Sequence, residues 1–217
     1  MFLKASFSGD ANIGLHGFAS DKYAFLGMKT KLDAKIEEAL SVKAAHSSML
    51  YTPFAGIFCA GNSHGVVVPK IMKEYEFHEI KRVFDNVLVL DTDYSAIGNL
   101  ILLNDKGVIL SPFLQKHKKE VADFFNLPVE VTKIGGTNVV GSIAVATNKG
   151  CLAGPLIKEN EISLLEDVLK VQLGVGTVSF GSNFVRSGII TNSNGFIMSD
   201  TSSGPEMGRA SEALGFV

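Results

Sequence analysis

The chain has 217 residues, 46% of them hydrophobic and 19% charged, with a formal net charge of -2. That balance excludes an intrinsically disordered polypeptide and a surface that is basic overall, so any contact with nucleic acid would be local and secondary. The length allows one or two domains; no run approaches the roughly 18 apolar residues of a membrane span, and the N-terminus lacks the plan of a signal peptide, which together predict a cytoplasmic protein.

In sequence order, Phe2 to Phe7 reads as a strand, followed by Asn12 to Leu26 with Gly14 and Tyr23 nine residues apart. Lys31 to Val42 places Leu32, Ile36, Ala39 and Leu40 on one helical face. The pair Gly56 and Gly65 then brackets an apolar run, Ile57 to Ala60, and a turn ending at His64 and Gly65. Val66 to Val68 and Pro69 follow, then a helix over Lys73 to Phe84 (Phe77, Ile80 and Phe84 inward) and a strand at Val87 to Leu90. The stretch Asp91 to Pro112 repeats this plan around Gly98 and Gly107, with runs at Leu100 to Leu103 and Val108 to Leu110. Its helix buries Val121, Phe124 and Phe125 and turns Lys116, Lys118 and Lys119 to solvent, before a strand at Val129 to Thr132.

The plan returns around Gly141 and Gly150, with Ile143 to Ala146, Cys151 to Ala153, Pro155, a helix over Glu161 to Val171 and a strand at Val171 to Val178. It returns once more around Arg186 and Gly195, where the first glycine is replaced, with Phe196 to Met198 and a helix over Pro205 to Leu214. From Gly56 to Gly98 is 42 residues and from Gly98 to Gly141 is 43, so five units of about 43 residues account for residues 1–217 as a single domain. The uninterrupted apolar runs fit strands covered on both faces. The turn glycines fit a positive φ in tight hairpins, and Pro69, Pro112 and Pro155 stop the second strand in the three middle units. Such units bury their sheets only against one another, which predicts an α/β ring closed by pairing the N-terminal strand with the last unit.

Catalytic chemistry finds little support. Cys59 and Cys151 lie within apolar runs and read as buried free thiols, and the five histidines show no metal-binding spacing. Gly135-Gly136 and Gly174-Val175-Gly176 lack the context of nucleotide loops, so no cofactor or metal is expected. The loops before each anchor are small, mostly uncharged and mixed in polarity, which suits a protein-binding surface.

Ala60-Gly61-Asn62-Ser63-His64-Gly65-Val66-Val67-Val68-Pro69, Ser95 to Leu100, Leu127 to Val131, Lys4 to Phe7 and Ile13-Gly14 together resemble the translation initiation factor 6 family. The likeness runs from end to end, and its specificity lies in the order and spacing of the segments. It implies the pentein fold, a five-bladed β/α-propeller with pseudo-five-fold symmetry. It also implies a non-enzymatic, monomeric factor that binds the intersubunit face of the large (50S) ribosomal subunit and prevents association with the small one. The expected contacts are ribosomal protein uL14 and nearby rRNA of the sarcin-ricin loop region, and a role in ribosome biogenesis comes with the resemblance. The residue carried across is Asn99, and pseudo-symmetry adds Asn12, Gly56, Asn138, Ser142, Val185 and Arg186 as candidate ribosome-binding positions. Ile57 and Ser63 stand where eukaryotic members carry basic residues, which points to an archaeal-type member. Guanidine-modifying enzymes of the same fold use a late cysteine, whereas the last cysteine here is Cys151 and the last histidine His117.

Overall fold

The computed structural model of the protein describes residues 2–217. Valine, isoleucine and leucine in short runs next to tight turns form hairpins, and each hairpin takes a third strand after a helix. The order is β1 (Phe2–Ala5), β2 (Gly17–Ala19), β3 (Tyr23–Leu26), α1 (Asp33–Leu40), β4 (Lys43–His46), α2 (Ala55–Phe58), β5 (Ala60–Asn62), β6 (Gly65–Pro69) and α3 (Glu74–Val83). It continues with β7 (Val87–Leu90), α4 (Ile97–Leu100), β8 (Ile101–Leu103), β9 (Val108–Leu110), α5 (Lys118–Phe125), β10 (Val129–Val131) and α6 (Val140–Ile143). The last part holds β11 (Ala144–Ala146), β12 (Gly150–Ala153), α7 (Glu159–Leu169), β13 (Gln172–Val175), β14 (Ile189–Thr191), β15 (Phe196–Ser199) and α8 (Gly204–Ala213). Tight 3-10 turns at Ile13–Leu15 and Val185–Gly188 take the place of α2, α4 and α6 in the first and fifth units.

The strands form five three-stranded sheets, β2-β3-β4, β5-β6-β7, β8-β9-β10, β11-β12-β13 and β14-β15-β1. In each, the hairpin is antiparallel and the third strand joins the middle one in parallel. The fifth sheet takes its third strand from the opposite terminus, Phe2 opposite Phe196 and Ala5 opposite Ser199, which meets the expectation for the N-terminal strand. Among the described residues the sheets stay separate and none closes on itself.

Each long helix fills the space between two sheets. Ile80 of α3 packs with Phe25 of one sheet and Val66 and Val68 of the next, while Val121 and Phe125 of α5 pack with Val67 and with Leu110. Leu165 of α7 sits with Ile109 and Ala153, Ala210 of α8 with Leu152 and Met198, and Ile36 of α1 with Ile197 and Ala24. Alternate residues of a middle strand therefore enter different cores, so β6, β9, β12 and β15 are buried along their whole length. Each fully buried Leu, Ile or Phe in these layers contributes about 1.5–3 kcal/mol relative to exposure.

Several expectations change. The apolar runs Ile57–Ala60, Leu100–Leu103 and Ile143–Ala146 do not open as strands; their first residues close single helical turns, with the Cys59 N–H donating to Ala55 O at 2.9 Å. A four-residue apolar run carries no period that separates a strand from a buried turn. The hairpin glycines do not serve a positive φ, since Gly65, Gly107 and Gly150 are absent from the left-handed residues. They are needed for space: a Cβ on Gly107 would strike the Val168 carbonyl, and one on Gly150 the Ala213 carbonyl, at the ends of α7 and α8. The strand β4 (Lys43–His46) is not among the elements expected from sequence, and the expected strand from Val171 to Val178 is confined to Gln172–Val175.

At the hairpin ends, polar side chains tie unit to unit. Asn62 Nδ2 donates to Asn104 O, Asn104 Nδ2 to Thr147 O and Asn192 Nδ2 to Ser20 O, all at 2.9 Å. The Asn148 N–H donates to Ser193 Oγ at 3.2 Å, and the Tyr23 hydroxyl donates to Asn62 O at 2.6 Å.

Candidate functional site

The other ends of the units carry the anchor positions. In front of each turn a short polar side chain bends the backbone by accepting from the N–H two residues on: Asp10 from Asn12, Thr52 from Phe54, Thr92 from Tyr94, Thr137 from Val139 and Ser182 from Phe184. The turns then meet backbone to backbone. A Cβ on Gly56 would collide with Gly14 O, one on Gly98 with Gly56 O, one on Gly141 with Gly98 O, and one on Gly14 with Arg186 O. At these four anchors glycine is therefore the condition for the close approach of the neighbouring carbonyl.

This meeting point carries an open depression of about 490 Å³, lined by Asn12, Leu15, Ile57, Asn99, Val139, Ser142, Ser182, Phe184, Arg186 and Ser187. Of the expected positions, Asn12, Asn99, Ser142 and Arg186 come together on its wall. Asn12 is held in place by Asp10, whose Oδ1 accepts both its backbone N–H and its Nδ2. Gly56 and Val185 are buried and present no side chain to the depression, Val185 lying in the core with Val145 and Leu152. Asn138 is half-buried, and its Oδ1 is buried without a hydrogen-bond partner. Leu15, Ile57, Val139, Ser182, Phe184 and Ser187 complete the lining, and Leu15, Val139 and Phe184 were not put forward as site residues from sequence. The signal for them was available in the spacing: Val139 and Phe184 each lie two residues after the turn-forming Thr137 and Ser182, and Leu15 follows the anchor Gly14 directly.

Arg186 is the one charged group of the lining. Its Nη2 donates to Gly56 O at 3.2 Å, reaching between units that are not sequence neighbours. Burial lowers its pKa to about 10, so it stays protonated at neutral pH. Burial pushes both thiols up, Cys151 to about 12, and the two cysteines lie in different cores. Among the described residues, no group of three or more His, Cys, Asp or Glu side chains is gathered as a metal ion would require. No helix is long and apolar enough to cross a membrane among the same residues. The depression is thus lined by apolar and amide groups with one cation.

Residues 2–213 match the eIF-6 family. The chain belongs to the eIF-6 family. Among similar proteins, translation initiation factor 6 of Methanocaldococcus jannaschii is 33% identical over 226 aligned positions, covering 100% of this chain and 99% of that protein. That of Pyrobaculum aerophilum is 33% identical over 210 positions, covering 95% and 96%. That of Methanococcus vannielii is 34% identical over 226 positions, covering 100% of each. The archaeal character expected of this eIF-6 family member fits the sources of these relatives.

Proposed function

We propose that this eIF-6 family protein is a non-enzymatic, monomeric, cytoplasmic factor that binds the intersubunit face of the large ribosomal subunit and prevents the small subunit from joining. It contacts chiefly ribosomal protein uL14, with rRNA of the sarcin-ricin region nearby, and acts in ribosome biogenesis as well as in initiation. The observation that carries this reading is the depression where the five anchor turns meet, whose Asn12, Asn99 and Ser142 stand beside apolar Leu15, Ile57 and Phe184. Neutral hydrogen-bonding groups among apolar ones suit a protein partner, and a protein of net charge -2 lacks the basic footprint of an RNA-dominated interface.

The fold that presents this face is, in our reading, one pentein domain, a five-bladed β/α-propeller closed into a ring. Support comes from helices shared between neighbouring sheets and from the pairing of β1 with β15. The test is sedimentation of the purified protein with isolated archaeal large subunits, and light scattering of subunit joining. Co-sedimentation with suppressed joining is expected. Protein found only free in the gradient, at concentrations above a micromolar Kd, overturns the reading.

A further inference from the structure

The fifth unit departs from the other four at the anchor. Gly14, Gly56, Gly98 and Gly141 occupy the anchor, whereas the fifth anchor is Arg186. Arg186 lines the depression and also a narrow cavity beside Phe18, Leu102 and Val145. One carbonyl, Gly56 O, accepts from Nη2, and Nε is buried with no partner. Among the described residues Arg186 forms no ion pair, and the ionisable group that acts on it is the Cys59 thiol, kept neutral by its own burial. Arg186 is half-buried, and a guanidinium with one carbonyl partner and a buried, idle Nε–H is under-compensated, so its complement is an anion.

The walls narrow the kind of anion. No second cation lines the depression, so a doubly charged phosphate would be left half-neutralised. A carboxylate carries one charge on two oxygens that match the guanidinium fork. Leu15, Ile57 and Phe184 offer apolar contact to whatever carries it, and about 490 Å³ holds a few side chains.

We propose that the depression receives a carboxylate carried on a short apolar segment of the docked protein, and that Arg186 reads it. This rests on the docking face assigned above. The C-terminus of a polypeptide and an aspartate or glutamate side chain present the same group, and the test separates them.

Three peptides are titrated into the free ¹⁵N-labelled protein: acetyl-Ala-Leu-Leu with a free C-terminal carboxylate, its C-terminal amide, and acetyl-Ala-Glu-Leu amide. A carboxylate-bearing peptide is expected to shift the Arg186 Nε–H resonance and the backbone amides of Asn12, Asn99 and Ser142 saturably, while the neutral amide leaves them in place. The more tightly bound carboxylate peptide identifies the source. Arg186→Gln is expected to weaken binding at least tenfold, and so is Arg186→Gly, which restores the residue of the other four anchors. Silence of both carboxylate peptides, equal shifts with the neutral amide, or undiminished binding to a folded Arg186→Gln protein overturns the proposal. The peptide comparison needs no variant, so a variant that fails to fold does not block it. Failure of the wild-type protein to sediment with large subunits bears on the docking reading alone, because the peptides are read on the free protein.

Discussion

The backbone N–H of Phe180 donates to Oε2 of Glu206 at 3.2 Å, tying an aromatic residue that is 80% exposed, with φ of 59°, to a buried carboxylate in the first turn of α8. Glu206 also accepts from the backbone of Gly181 and Ser203 and from the hydroxyls of Thr177 and Ser203. The same device recurs where Glu76 holds the N–H of Tyr51 and Glu161 that of Gly135. A helix capping box thus fixes the left-handed turn of a loop beside it.

Burial alone would raise the Glu206 pKa, but the donors from Ser203, Gly181 and Thr177 outweigh it and bring the pKa from its ordinary 4.5 down to about 2. A depressed carboxylate supplies stability in full above its unfolded pKa and loses it as pH falls through the folded one. Urea unfolding from pH 7 to pH 2 is expected to show wild-type stability declining between about 4.5 and 2, with Glu206→Gln flatter in that window. At pH 7 the variant should be less stable by about 1–3 kcal/mol.

Asn104 is buried and fully used. Its Nδ2 donates to Thr147 O and Leu169 O, and its Oδ1 accepts from the N–H groups of Lys106 and Gly107. Asn104→Ala strands several of these groups and is expected to cost about 2–4 kcal/mol in chemical denaturation. Asn192→Ala, with donors to Ser20 O and Leu40 O, should cost a similar amount. Asn62→Ala, whose amide nitrogen donates to a single carbonyl, should cost less.

Glycine substitutions should separate close approach from helix propensity. Gly98→Ala pushes a methyl into the carbonyl oxygens of Gly56 and Cys59, which are backbone and cannot swing aside, so a loss of about 3 kcal/mol or more is expected. Gly208 lies exposed inside α8 with open space around it, and Gly208→Ala should raise stability by about 0.5–1 kcal/mol. Thermal melts of the two variants check both signs.

The spacing of Gly56, Gly98 and Gly141 made the repeat legible, and the apolar face of Ile36, Ala39 and Leu40 did the same for α1. The strand β4 escaped because Lys43-Ala44-Ala45-His46 has no β-branched or bulky aromatic hydrocarbon residue, and it pairs only because α1 delivers it beside β3. The anchor turns escaped because four apolar residues fit either element, and the choice was made by contact with the neighbouring unit, which sequence does not display. In the candidate site, the family resemblance supplied Asn99 and pseudo-symmetry added Asn12. It could not tell that Val185, one residue from Arg186, faces the core instead.

Asn99 is half-buried on the wall of the depression, and its backbone N–H is satisfied by Ala96 O at 3.0 Å. Asn99→Arg is expected to leave the Tm nearly unchanged and to weaken binding to large subunits at least tenfold, read by sedimentation. A large fall in Tm would make Asn99 a structural residue.

Cys59 and Cys151 are fully buried, and burial raises both thiols above their ordinary range. Neither should react with an aromatic disulfide reagent at pH 8 in the native protein, and both should react fully in denaturant. A fast native thiol would reveal opening of the core that holds it.

The pairing of β1 with β15 also dictates an order of events during synthesis. Phe2 leaves the ribosome first, yet its partner Phe196 is 194 residues later, so at roughly 5–20 residues per second the first strand waits about 10–40 s for the strand it joins. Throughout that interval the nascent polypeptide has an open sheet edge that other molecules could capture. Completion of the last unit is therefore the moment at which the earliest part of the polypeptide acquires its place.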